Sequence, residues 1–392
     1  MRIAISGAGV AGPAFAHWMV RGGHDVTLIE TAPGFRTGGY VIDFWGLGYR
    51  IAEKMGIEKE IRAAGYQVRE LRAVDGTGRP AARLRVDAIR RATNDLYTSL
   101  PRGDLAAAIY RTVEDDVETV YSDSITAIIN QPDCAAVEFE HCPPREFDMV
   151  IGADGLHSNV RALEFGPESR YEHYLDCQVA ACVLDGYRPR DELVYVTHNL
   201  PGRQLGRFAL REDRTLVLFV FRSSAPTVPR DLAAGKSLLR REFADGGWEC
   251  RQILDALDGV DDIYVDVVSQ IRMDRWSSGR VALIGDAAAC VSLLAGEGTG
   301  LAIAEAYVLA GELARADGDI GSAFAAYEAR LRGFIEAKQD SATGFISFFA
   351  ARTRLGIWLR NHAMRAFNIG PVGDLIMSRT LRDDIEPPDY GL

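Results

Sequence analysis

The chain has no uninterrupted run of about 20 apolar residues, the length a helix needs to cross a bilayer. Its most apolar late segment, residues 345–358, is broken by Arg352 and Arg354, so no membrane span is expected. Cysteine is sparse: six residues (134, 142, 177, 182, 250 and 290), without Cys-x-x-Cys spacing or matching histidines among the seven present. That scatter argues against a disulfide framework and a zinc site, and it suits reduced thiols in the cytoplasm. No metal ligand set is expected. Basic residues are in deficit, 44 against 55 acidic, for a net charge of −11. The sign argues against nucleic acid or an anionic membrane as a main partner, although a buried basic lining would not register in the sum. Internal repeats and low-complexity tracts are missing. Met1-Arg2-Ile3 runs straight into a strand, and no signal peptide is expected.

What is present is a globular composition, 47% hydrophobic and 25% charged over 392 residues, enough for a sizeable core and two domains. Residues 2–6 read as a buried strand and lead into Gly7-Ala8-Gly9-Val10-Ala11-Gly12. An amphipathic helix follows to Val20 or Arg21, then a second strand, 25–29, ending at Glu30. This is a dinucleotide fingerprint in its βαβ setting. Gly7 makes the tight turn, Gly9 admits a pyrophosphate, and Gly12 lets the helix pack on the sheet. The helix N-terminus, at Val10 and Ala11, offers free N–H groups to the phosphates. Glu30, eighteen residues after Gly12, can bind both hydroxyls of an adenosine ribose and would repel a 2′-phosphate. The residues thus point to FAD or NAD, not NADP, as the dinucleotide held here.

A second stretch, residues 281–306, repeats the logic. The apolar strand Val281-Ala282-Leu283-Ile284 breaks at Gly285-Asp286, a loop carries Gly296, Gly298 and Gly300, and an Ala/Leu-rich helix resumes. Asp286 can accept hydroxyl hydrogen bonds, the glycines allow close approach, and the helix start presents the positive end of a dipole. Between these stretches, Arg102 stands at the start of a helix, where a cation opposes the dipole and calls for a polar or anionic partner. Asp148-Met-Val-Ile-Gly152 is another buried strand, ending in Ala153-Asp154-Gly155 before a helix; Asp154 can cap that helix. From 171 to 269 the chain turns β-rich, with runs at 178–184, 193–197, 207–210 and 215–221. Residues 217–221 are apolar on both faces, so that sheet packs on something at each side. Residues 230–257 read as mainly helical, as do 320–341 and 346–367, and the Pro387-Pro388 tail as loose.

Taken in order, Gly7-x-Gly9-x-x-Gly12 with Glu30, Gly152-Ala-Asp154-Gly155-x-x-Ser158-x-Val-Arg161, and Gly279-Arg-Val-Ala-Leu-Ile-Gly285-Asp286-Ala-Ala resemble the group A FAD-dependent monooxygenases. This is the family of para-hydroxybenzoate hydroxylase and the tetracycline-inactivating flavin monooxygenases. The resemblance covers about residues 1–320. It implies an α/β fold: a discontinuous Rossmann-like FAD-binding domain of the GR2 type (1–67, 98–170 and 270–320), an inserted antiparallel β-sheet substrate domain (68–97 with 171–269), and C-terminal helices (321–392). It further implies that Glu30 binds the adenosine ribose, Arg102 the FAD backbone, and Asp286 the ribityl or pyrophosphate region. Asp154 supports the cofactor sites indirectly. Arg36 also belongs to the cofactor-binding set, and Gly38 and Gly39 would flank a mobile flavin. Gly296, Gly298, Thr299 and Gly300 would lie beside the isoalloxazine, stabilising negative charge on the reduced ring.

The implied reaction is hydroxylation of an aromatic or polycyclic small molecule through a C4a-hydroperoxyflavin, with O2 and a diffusible NADPH or NADH. The alternative on the same fold is a flavoprotein that uses FAD structurally for cyclisation, desaturation, reduction or binding. One departure bears on this choice. Val291 and Leu293 stand where relatives carry prolines, and the loop reads Gly296-Glu297-Gly298-Thr299-Gly300, placing a carboxylate near the flavin edge. The substrate pocket is expected between the β sheet and the FAD domain, with Tyr195, Arg207, Phe208, Phe219 and Phe221 as candidate lining. Asp43 and His198 are candidate bases; no catalytic residue is assigned. The assembly is expected to be a monomer or homodimer.

Overall fold

Ile3, Ala4 and Ile5 are completely buried at the centre of a parallel sheet, and the computed structural model describes residues 1–35, 40–368, 383 and 385–392 around it. The chain opens with β1 (Arg2–Ser6), α1 (Ala11–Arg21) and β2 (Asp25–Glu30). Next come β3 (Val41–Trp45), α2 (Gly46–Lys54), α3 (Glu58–Ala64), β4 (Glu70–Val74), β5 (Pro80–Arg85) and α4 (Asp87–Ala92). Then follow β6 (Tyr97–Pro101), α5 (Arg102–Tyr110), β7 (Glu118–Tyr121), β8 (Ile125–Asn130), β9 (Ala135–Phe139), β10 (Arg145–Phe147), β11 (Met149–Gly152) and α6 (Asn159–Glu164). The middle of the chain forms β12 (Glu172–Asp185), β13 (Val194–Leu200), β14 (Arg203–Ala209), β15 (Arg214–Arg222), α7 (Leu232–Phe243), α8 (Cys250–Ala256) and β16 (Tyr264–Ile271). It closes with β17 (Ser277–Ser278), β18 (Val281–Leu283), α9 (Asp286–Ala289), α10 (Gly298–Arg315), α11 (Ile320–Phe349) and α12 (Arg354–Ala366).

The central sheet has the order β17-β18-β11-β1-β2-β7. β18, β11, β1, β2 and β7 run parallel, so their carboxyl ends share one edge. Strands buried on both faces need apolar residues throughout, which is why Ile3–Ile5, Val150–Ile151 and Val281–Leu283 read as unbroken apolar runs. The glycine turn of residues 7–12 and the two acid–glycine turns, Asp154-Gly155 and Gly285-Asp286, all lie at this carboxyl edge, where ligands of open α/β sheets bind. The fold is thus a mixed α/β arrangement, a largely parallel sheet flanked by helices together with a separate, largely antiparallel sheet.

That second sheet has the order β16-β12-β15-β14-β13-β4-β5, with one parallel pair, β13 with β4. Its faces are covered differently. Val217, Phe219 and Phe221 pack outward with Leu205 against Leu239, Phe243 and Ile253 of α7 and α8. Leu216 and Leu218 alternate to the inner side, where Phe208, Tyr195 and Ala181 meet Tyr66, Tyr97 and Trp45. Both faces being apolar therefore reflects two different covers. At the carboxyl end the chain departs from expectation. α11 continues unbroken to Phe349, and Thr353 caps α12 by accepting from the Gly356 amide at 3.0 Å. The tail is docked: the Tyr390 hydroxyl donates to Glu312 at 2.6 Å, and its ring lies over Gly311, where any Cβ would collide with it.

Candidate functional site

The fingerprint turn is shaped by contacts only glycine permits. Gly7 has φ +105°, and a Cβ there would sit 2.5 Å from the Ala153 carbonyl oxygen. A Cβ at Gly12 would collide with the Gly7 carbonyl, so α1 can lean on β1 only without one. Gly9 is different: the nearest atom to its would-be Cβ is Arg102 Nη2, at 3.8 Å. Gly9 is thus bare towards an open side, as a backbone awaiting a ligand should be. Val10 caps α1 with no side-chain hydrogen bond, which leaves the first-turn amides around Ala11 unclaimed by a cap. Glu30 reaches back from the end of β2, accepting from the Ala8 amide at 3.0 Å and the Ala32 amide at 2.9 Å.

Arg102 opens α5, and its own amide donates to the Tyr40 carbonyl at 3.0 Å. The same guanidinium lies close enough to Asp286 and Tyr40 to act on both charges. Burial pushes the Asp286 carboxyl above the usual range and Arg102 opposes this. Burial likewise raises the Tyr40 phenol to about 12 against the pull of Arg102. Asp286 begins α9 after Gly285 (φ +63°), and a Cβ on Gly298, at the start of α10, would be 3.5 Å from Asp286 Oδ1. Gly9, Arg102, Asp286 and Gly298 therefore line one continuous polar seam along the sheet's carboxyl edge. Asp154 stands behind it, not in it. Its Oδ2 accepts from the Asn159 and Val160 amides at 2.9 and 3.0 Å and from Ser6 Oγ at 3.3 Å, tying β1 to α6.

At the far end of the seam, Gly296 (φ +73°), Glu297, Gly298, Thr299 and Gly300 lead into α10, and Glu297 caps it without a side-chain hydrogen bond. A small cleft here is lined by Asp43, Trp45, Gly48, Gly296, Glu297 and Gly300, among others. Glu297 does not present a bare charge to it: Lys338 of α11 binds its carboxylate at 3.0 Å and Asp383 at 3.2 Å. Trp45, one of the cleft residues, belongs to the same apolar cluster as Tyr195 and Phe208, which stack with centroids 4.3 Å apart, and Tyr40 meets Tyr264 at 5.7 Å. Asp43 Oδ1 accepts from Tyr97 at 2.7 Å and from Ser99. Burial raises its pKa, and the two hydroxyls pull it back.

Several expected residues sit elsewhere. Phe219, Phe221 and Arg207 face α7 and α8, with Arg207 held by Glu249 and Asp191 at 2.7 and 2.9 Å, so none of them lines the inner face. Strand alternation carries them there, because they share parity with Leu205 and not with Phe208. His198 also faces outward with Val194 and Val196; its Nδ1 pairs with the Val74 carbonyl at 3.2 Å, and burial lowers its pKa. Arg36, Gly38 and Gly39 lie outside the described residues.

Other residues were not singled out and nevertheless brace the seam. Arg161, wholly buried, donates to the Ala287 carbonyl of α9 at 3.0 Å and to Glu168 at 2.8 Å. Glu305 accepts the Gly285 amide at 2.7 Å and the Tyr327 hydroxyl at 3.1 Å, and burial raises its pKa to about 8. A single acid inside the apolar helix Leu301-Ala-Ile-Ala-Glu305-Ala was the available signal. Among the described residues no cluster of His, Cys, Asp and Glu could hold a metal, and no helix is long and apolar enough to cross a membrane.

Residues 1–323 match the FAD binding domain family. The chain is 38% identical over 345 residues to an uncharacterised Mycobacterium tuberculosis protein, covering 86% of this chain and 91% of the relative. It is 33% identical over 350 residues to a flavin-dependent monooxygenase of Legionella longbeachae, covering 86% and 87%. Among solved structures it is similar to the tetracycline destructase Tet(55), with a TM-score of 0.84, 30% identity and coverage of 99% and 98%. It shares the fold of Klebsiella pneumoniae HpxO complexed with FAD and uric acid, with a TM-score of 0.81, 21% identity and coverage of 97% and 96%.

Proposed function

The chain belongs to the FAD binding domain family, with flavin-dependent monooxygenases among its relatives, and from that premise we propose that it hydroxylates an aromatic or polycyclic small molecule with NADPH or NADH and O2. The observation that carries this reading is the seam from Gly9 past Arg102 and Asp286 to Gly298, which meets the aromatic cluster of the second sheet at Tyr40. FAD, when bound, supplies the redox chemistry and the activation of O2.

The chain's own residues do the rest. Gly9 and the α1 N-terminus would take the pyrophosphate, Glu30 the adenosine ribose, and Asp286 the ribityl hydroxyls, with Arg102 between them. The amides of Gly298, Thr299 and Gly300, at the positive end of an 18-residue helix, would stabilise negative charge on the reduced ring. Lys338 compensates Glu297, so the departure in this loop gives the non-hydroxylating alternative no separate support.

Tyr40, Tyr195, Phe208 and Leu218 would hold the substrate and keep water out, which matters because water diverts activated oxygen to peroxide. Asp43 is the candidate proton acceptor. Its Oδ1 is occupied by Tyr97 and Ser99, leaving Oδ2 to accept a proton from a bound phenol or enol, and burial, by raising its pKa, makes it a stronger base than an ordinary carboxylate. The test is consumption of NADPH and of NADH in air with a panel of phenols and enols, followed by mass analysis under 18O2. A substrate that accelerates consumption and leaves with one labelled oxygen supports the reading. Consumption that no compound accelerates, with no labelled product, overturns it.

A further inference from the structure

α12 carries a buried charge to the wall of the substrate sheet. The helix packs on β5 and β13 and lays Met364 against Ala73, Ala82 and Leu84 at the β4–β5 end of the inner face. Arg360, one turn earlier on the same helix face, is only 5% exposed. Its guanidinium lies 4.6 Å over the ring of Phe348, and Nη1 donates to Asn361 Oδ1 at 3.2 Å. Nε and Nη2 have no partner, and among the described residues no carboxylate pairs with it. Burial lowers its pKa only to about 10, so the group stays charged at neutral pH. A buried cation without a counter-charge is costly to the fold unless something else supplies the anion.

Two further polar groups at this corner are also unanswered. Asn199 Nδ2 donates to the Phe349 carbonyl at 3.1 Å, while Asn199 Oδ1 has no donor. Gln204, the register partner of Asn199 on the neighbouring strand, leaves Nε2 unpaired. By strand alternation Asn199 shares the inner face with Tyr195, and Gln204 shares it with Phe208. The end of α11 joins these groups, since Phe348 carries the guanidinium and Phe349 holds the asparagine. Arg360 Nε, Arg360 Nη2 and Gln204 Nε2 are thus three unsatisfied donors, and Asn199 Oδ1 one unsatisfied acceptor, on elements that pack together at this corner of the face proposed to receive substrate.

We propose that Arg360 is the anion-recognition residue of the substrate site, and that the substrate is an acidic aromatic compound bearing a carboxylate or an ionised 1,3-dicarbonyl enol. The inference rests on the hydroxylase reading for the aromatic part of the substrate and on the structure alone for the anionic part. Nε and Nη2 form the side edge of the guanidinium, a fork that matches two oxygens of one anion in a bidentate pair. The planar fork, over an aromatic ring, is why arginine and not lysine suits the position.

The test is calorimetric titration of the FAD-loaded protein with two matched pairs, 2-naphthoate against 2-naphthamide and 4-hydroxycoumarin against coumarin. It is repeated for Arg360→Met and Arg360→Lys, alongside their melting temperatures. At least one anion is expected to bind tenfold or more tightly than its neutral partner, and which pair shows the effect separates carboxylate from enolate. Arg360→Met should abolish the preference and melt higher than the parent, because a buried unpaired charge has gone; Arg360→Lys should keep only part of the preference. Equal binding of anion and neutral partner, no binding of either anion, or a preference that survives in Arg360→Met would each overturn the proposal. A protein that selects the anion through Arg360 but consumes no NAD(P)H with any substrate keeps this assignment and loses the hydroxylase reading instead.

Discussion

Glu305 shows how one buried residue behind the seam can set the behaviour of the site. Its carboxyl is 2% exposed and accepts the amide of Gly285, the residue that turns the chain into Asp286. Burial lifts its pKa from 4.5 to about 8. Between those values the folded protein holds a proton that the unfolded chain has released, so stability falls as pH rises through this window, by at most about 1.4 kcal/mol per pH unit. Glu305→Gln keeps an acceptor oxygen for Gly285 and cannot ionise. Its melting temperature is expected to match the parent near pH ~5 and to exceed it near pH ~8.5, read by differential scanning calorimetry across pH. Glu30 belongs to the same scale but acts on the ligand. Glu30→Ala is expected to weaken FAD binding by roughly 1.5–3 kcal/mol, about ten- to a hundredfold, the worth of hydrogen bonds to a charged group. Titration of FAD into the apoprotein, followed by flavin fluorescence, measures it.

At the scale of elements, the two glycines of the first turn do separable work. Gly9 has room for a Cβ, with Arg102 Nη2 at 3.8 Å, whereas a Cβ at Gly12 meets the Gly7 carbonyl. Gly9→Ala should therefore leave apoprotein stability within ~0.5 kcal/mol of the parent while lowering FAD affinity by ~tenfold or more, because the phosphates lose their approach. Gly12→Ala should cost ~1–3 kcal/mol through overpacking of α1 on β1. Chemical denaturation of the two apoproteins separates the cases.

The βαβ unit, the Asp154 turn and the Asp286 turn were legible in the sequence because each depends on spacing within one short segment. Which side of the second sheet carries the aromatic cluster with Tyr40 and Trp45 was not. β15 is apolar on both sides, so parity alone could not tell the side of Leu218 from that of Phe219, and the distinction came only from what covers each face. The pairing of Glu297 with Lys338 was hidden for a related reason. The two residues are 41 positions apart, and nothing local marks them as partners.

For the whole molecule, the C-terminal segment docks beside the 296–300 end of the seam. Asp383 accepts the Leu47 amide at 2.6 Å and pairs with Lys338, and Tyr390 docks on α10 through Glu312. A proline-rich tail reads as loose from composition, yet its stability comes from a distant surface, the bare backbone of Gly311, that composition cannot display. Tyr390→Ala is expected to lower global stability by on the order of 1–2 kcal/mol, measured by denaturant melts of the FAD-loaded protein.

The central claim, that Gly9, Glu30, Arg102 and Asp286 together form a FAD site, is tested most directly by the visible spectrum of the purified protein, before and after added FAD. A yellow protein with the two absorption bands of oxidised flavin, which fade when Glu30 and Asp286 are replaced together by alanine in a chain that still folds, is the expected result. A folded but colourless protein that takes up no added FAD would contradict it.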